Sequence, residues 1–220
     1  MENKYKFMQI YGNCSIVHCL GHERLRGPAD NVVAKGINFL KVLLHGDYLK
    51  YIKTTAYTTA KRTPGYVGDS AVEYRFPIVD IIHNDITKEN TWAELNKRLI
   101  NFKNFRQKVL TDPTYYFVYS INYYDVDRQS HQMNRDIFIE NLEYLKAEGL
   151  LNKIVFIETR NKDEEAFWNF YATNIQDIIE KYNLIYIQIN DLTLGAPDEN
   201  IIMPQFYKKA VAAIQMKGKK

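Results

Sequence analysis

The chain has 220 residues, 46% hydrophobic and 25% charged, with a formal net charge of +3, a composition that suits one globular domain with a proper core. Lys and Arg are scattered among Asp and Glu, and only the tail KGKK (217–220) is a basic cluster, which argues against a dedicated nucleic-acid binder and is only weak support for an anionic ligand. No apolar run approaches the roughly 18 residues a membrane span needs, MENKYKF lacks the apolar core of a secretory signal, and the two cysteines cannot make a disulfide scaffold, so a reduced, cytoplasmic protein is expected.

In chain order, KFMQIY (6–11) predicts a first strand. SIVHCLGHERL (15–25) predicts a short helix broken near Gly21, and residues 31–52 a longer helix with an apolar face. Residues 53–74, rich in Thr and Gly, read as a polar loop or small β-excursion. FPIVDII (76–82) predicts the second strand, and residues 89–110 a helix whose stripe is Leu95, Leu99, Phe102 and Val109. TYYFVYSI (114–121) predicts the third strand, followed by a helix over 134–149 closed by Gly149. KIVFIET (153–159) predicts the fourth strand, residues 163–182 a helix followed by Asn183, LIYIQIN (184–190) the fifth strand, and a last helix runs from near Pro204 to Met216. Five short apolar strands separated by helices predict one α/β domain over 1–220: a Rossmann-like three-layer sandwich with a mainly parallel five-stranded sheet and helices on both faces.

In open parallel sheets, function collects beyond the carboxyl ends of the strands. There the sequence sets GNCS after strand one, HND (83–85) after strand two, SINYYD (120–125) after strand three and NDLTLGAPDE (190–199) after strand five. Cys14, at the expected start of a helix, is the candidate nucleophile, because unpaired N–H groups there favour a thiolate. Those N–H groups with Asn13 and Ser15 are the candidate oxyanion or anion site. The alternative for Cys14 is a buried small hydrophobe, the reading given to Cys19. His83 is preferred as the base over His18, because a strand-end ring can face Cys14 across the sheet top. His22, His45 and His131 read as surface or loop histidines. The orienting carboxylate is expected at Asp85, with Asp191 and Asp125 as alternatives. Asp30 is either a ligand-binding residue or the cap of a helix starting near Asn31, and Asn122 is a further ligand-binding candidate. No phosphate-binding Gly-rich loop, His-Glu-x-x-His or Cys-x-x-Cys occurs.

The stretch GNCSIVHCLGHERLRGPADNVVAKGINFLKVLLHGDYLKYI, with the later IIHNDITKENTWAELNKRLINFKNF, resembles a papain-like cysteine peptidase family of bacterial proteins. The resemblance covers roughly residues 8–125. It implies Cys14 as nucleophile, His83 as its partner, and Asp30 as the aspartate of the family's turn motif. No cofactor is expected from the residues; Gly-Asn-Cys near the N-terminus is also similar to coenzyme-A-binding capsule-biosynthesis proteins, and that likeness implies coenzyme A and an acyl substrate as the alternative. Three functions compete: a Cys–His acyl-transfer enzyme, hydrolase or acyltransferase, acting on a small acyl or glycan substrate; a glycan or nucleotide-sugar transferase of surface polysaccharide biosynthesis in which Cys14 is structural; and a non-catalytic interaction domain.

Overall fold

The computed structural model describes residues 4–12, 26–30, 32–61, 72–82, 84–121, 125–127, 132–161, 175–192 and 199–218. Four strands, β1 (Lys6–Tyr11), β6 (Tyr115–Ser120), β9 (Ile154–Asn161) and β10 (Ile185–Leu192), form a parallel sheet in the order β1-β6-β9-β10. The chain alternates these strands with helices: α3 (Glu89–Thr111), α4 (Arg135–Ala147) and α5 (Gln176–Lys181) precede β6, β9 and β10, and α6 (Glu199–Lys217) ends the fold.

Side-chain alternation sorts each strand between two apolar layers. Met8, Phe117, Tyr119, Ile154 and Phe156 share one core with Phe102, Phe105 and Val109 of α3 and Phe138, Leu142 and Leu145 of α4. Phe7, Val118, Val155, Ile157, Ile185 and Ile187 face the other way, against Phe206, Ala210 and Ile214 of α6. These three α6 residues are four apart, so they form one stripe, and Phe206 meets Phe7 edge-on with ring centroids 5.0 Å apart. The result is an α/β fold with a parallel sheet covered by helices on both faces.

The expectation of five strands in that sheet is corrected. The run 76–82 is not a parallel strand: Phe76 N–H donates to the Val79 carbonyl, which closes a tight turn between β4 (Val72–Arg75) and β5 (Val79–Ile81). Pro77, which has no N–H to give to a ladder, sits in that turn. β5 belongs instead to an antiparallel sheet of order β2-β5-β4-β3, in which β2 is Val32–Ala34 and β3 is Thr58–Lys61.

The long helix expected over 31–52 is also corrected. Val32 and Val33, both β-branched, start it as strand β2. Two helices follow, α1 (Gly36–Leu44) and α2 (Tyr48–Thr54), separated at His45–Asp47, where the Asp47 carboxylate caps α2 by accepting the Lys50 N–H at 2.9 Å. The last helix starts at Glu199, five residues earlier than the Pro204 expected from its ring. A proline in the second turn removes a single N–H bond and does not end the helix. Gly149 and Asn183 close α4 and α5 in the left-handed region, at φ +70° and +47°. The short β7 (Val126–Asp127) and β8 (Gln132–Met133) pair with each other. No described helix is long and apolar enough to cross a membrane.

Candidate functional site

The four parallel strands run monotonically across the sheet, so their order supplies no reversal to mark a ligand crevice. What distinguishes the carboxyl edge is buried polarity. Ser120, Asp125, Asn141 and Glu158 are all at most 2% exposed there or beneath it, and Gln9, Asp30, Asp80 and Arg98 are the other buried polar residues among those described. Buried polar groups of this kind persist when they are hydrogen-bonded.

The centre of this polarity is Tyr11, the last residue of β1. The register of β1 on β6 slips between Gln9 and Tyr11. A one-residue slip moves a side chain to the opposite face. Tyr11 therefore leaves the α6 side and stacks on Tyr119, with ring centroids 4.3 Å apart and 14° between planes. Its hydroxyl donates to Asp125 Oδ1 at 2.7 Å and accepts the Gly36 N–H, in the first turn of α1, at 2.8 Å. Burial, and then the Asp125 charge, push this hydroxyl well above the ordinary tyrosine pKa. Asn141 Nδ2 donates to the Tyr119 hydroxyl at 2.8 Å, and the Tyr186 hydroxyl donates to Glu158.

Gly12 continues β1 at φ +129°, and a Cβ there would lie 2.5 Å from Ser120 Cβ. Its carbonyl accepts the Ala34 N–H at 3.0 Å, which fastens the exit of β1 to β2. On the other side of β2, Val32 pairs with Ile81 and Ala34 with Val79. Lys35 forms an ion pair with Asp80, buried in β5, and donates to the Phe76 carbonyl.

Of the sequence-predicted residues, Asn13, Cys14, Ser15, His18, Cys19, His22, His83, Asn122 and His131 lie outside the described residues. Asp30 is 2% exposed, in a turn where its own N–H donates to Gly27 O at 3.2 Å. It caps no helix, because the element that follows is β2, so the capping alternative is corrected. Asp85 stands just before α3. Its Oδ1 accepts the Tyr74 hydroxyl at 2.7 Å, the Thr87 N–H at 3.0 Å and the Thr87 hydroxyl at 2.6 Å. The Thr87 and Tyr74 hydrogen bonds lower its pKa to about 2, and burial with the same contact raises Tyr74 to about 12. Asp125 is wholly buried, tied to Tyr11 by its carboxylate and to the Asn134 N–H by its carbonyl. Asp191 is not beyond the fifth strand but inside it, in the irregular stretch between Ile189 and Leu192. His45 is half-exposed against Glu148, with Nε2 to Oε1 at 2.7 Å.

Sequence reading missed Tyr11, Tyr119 and Asn141. Only Asn141 left a trace, as a polar residue on the apolar stripe Phe138, Leu142, Leu145. No family model, no curated protein and no solved structure matches the chain.

Proposed function

We propose that the chain is a cysteine-dependent acyl-transfer enzyme in which Cys14 is the nucleophile and His83 its base. One observation carries the reading: strand β2 joins the two stretches that lead to these residues. Gly12, two residues before Cys14, is hydrogen-bonded to Ala34 at one end of β2, and Ile81, two residues before His83, pairs with Val32 at the other. Two residues of extended chain reach about 7 Å, so short segments suffice to bring thiol and imidazole together. The likeness to a papain-like cysteine peptidase family points to the same pair.

In this reading Asp30 is the orienting carboxylate. Asp30 stands two residues before Val32 in the chain, and Val32 pairs with Ile81, itself two residues before His83. Asp30 is buried, as a carboxylate holding an imidazole in one tautomer requires. Asp85, whose Oδ1 already takes three hydrogen bonds, instead organises the start of α3.

The Cys14 thiolate attacks an acyl carbonyl carbon, and backbone N–H groups beyond Gly12 stabilise the oxyanion. Imidazolium His83 protonates the leaving group as the carbon–heteroatom bond breaks. Water or a hydroxyl acceptor, deprotonated by His83, then attacks the thioester and releases the thiolate. The test is the rate of Cys14 alkylation against pH, with Cys19 as internal control. A plateau well below the ordinary thiol pKa of about 8.5, lost in His83→Ala, is expected. A Cys14 no more reactive than Cys19 would overturn the reading.

A further inference from the structure

Away from the sheet edge, α2 and α3 enclose an open cleft of about 600 Å³, within the size range of small-ligand sites. Lys50 and Lys53 of α2 form one wall. Three residues apart, they project from the same helix face. Asn96, Leu99 and Lys103 of α3 form the other wall, on a face that also presents Trp92 one turn earlier. The Lys53 ammonium rests over the Trp92 ring, 5.1 Å from its centroid, a contact that does not neutralise its charge.

Among the described residues, no carboxylate lies within ion-pair distance of Lys50, Lys53 or Lys103. The one acid among the described residues lining the cleft, Asp47, accepts the backbone N–H of Lys50 as the cap of α2. Three lysines line one concavity, with a single acid among its described lining residues. Such an arrangement raises the local concentration of anions and is complementary to a ligand with several negative charges. The space is much larger than one phosphate group fills, and the cations stand on both walls.

We infer that the α2–α3 cleft binds the oligophosphate group of a small phosphorylated ligand between Lys50 and Lys53 on one side and Lys103 on the other. This inference is independent of the role of Cys14.

The test is calorimetric titration of the full chain with tripolyphosphate at low ionic strength, with Lys50→Gln/Lys103→Gln and, as a control on α3 outside the cleft, Lys108→Gln. These side chains are exposed, so the variants are expected to keep the parent melting temperature. The wild type is expected to show one saturable site that weakens at least about tenfold in the double variant and stays unchanged in Lys108→Gln. A nucleoside triphosphate run alongside separates the sources: equal affinity means that the phosphates alone are read, and tighter binding means that the base adds contacts. Absence of saturation up to millimolar tripolyphosphate, or an equal loss in Lys108→Gln, would overturn the inference, the latter by showing diffuse attraction to a basic surface.

Discussion

Two fully buried tyrosines lose the same atom in Tyr11→Phe and Tyr48→Phe, and opposite outcomes are expected. The Tyr11 hydroxyl donates to the buried Asp125 carboxylate at 2.7 Å and accepts the Gly36 N–H at 2.8 Å. A hydrogen bond to a charged group contributes about 1.5–3 kcal/mol, and an ordinary one about 1 kcal/mol. Gly36 is partly exposed, so water can replace its lost acceptor, whereas Asp125 is 0% exposed. The expected cost is about 2–4 kcal/mol, or a fall in melting temperature of roughly 6–12 °C at the middle of that range for a chain of this size. The Tyr48 hydroxyl is buried with no hydrogen-bond partner among the described residues, so removing it relieves an unsatisfied group. Tyr48→Phe should be neutral, within about 0.5 kcal/mol, or stabilising. Urea unfolding of both variants, monitored by circular dichroism, measures the pair. In an Asp125→Asn background the Tyr11→Phe penalty should shrink, because the buried charge is gone. A loss under about 1 kcal/mol for Tyr11→Phe, or equal losses at the two sites, would refute the argument that this network secures the end of β1.

Gly12→Ala should destabilise by about 2–3 kcal/mol in the same assay, because its Cβ would lie 2.5 Å from Ser120 Cβ at a φ of +129°; a loss within experimental error would count against the close approach of β1 and β6. Phe206→Ala should cost about 3–5 kcal/mol, since this ring is 2% exposed in the contact that docks α6 on the sheet; loss of α6 protection from hydrogen exchange should accompany it. For Asp85, whose pKa falls from 3.8 to about 2 on folding, the depressed value means that its contribution is present above about pH 4 and is lost as pH falls through about 2. The melting-temperature gap between wild type and Asp85→Asn should therefore close between pH 5 and pH 2, and a gap independent of pH would contradict the assigned hydrogen bonds.

The elements most legible in the sequence are those whose periodicity reports a single partner. β1, β6, β9 and β10 are short apolar runs that alternate between two cores. The stripe Leu95, Leu99, Phe102, Val109 marks the buried face of α3. The run 76–82 misled because an apolar stretch looks the same whether it feeds a parallel strand or the turn and second arm of a hairpin, and β5 is decided by its pairing with β2 and β4. Residues 31–52 carry a helical apolar face over most of their length, and only contact with β5 makes Val32–Ala34 a strand.

The candidate site divides along the same line. That Asp85 precedes a helix is visible in the chain; that its Oδ1 is taken up by Tyr74 and Thr87 depends on β4 reaching it from the neighbouring hairpin. Asp30 looks like a helix cap until β2 follows it. Tyr11 looks like one more aromatic at a strand end, until a slip in register against β6 turns it to face Asp125. Local pattern alone determined the alternation of strands and helices, because burial of one face is written in the spacing of apolar residues. Strand partners, register and the pairing of buried charges were decided by the tertiary structure, because each depends on residues far apart in the chain: 114 positions separate Tyr11 from Asp125.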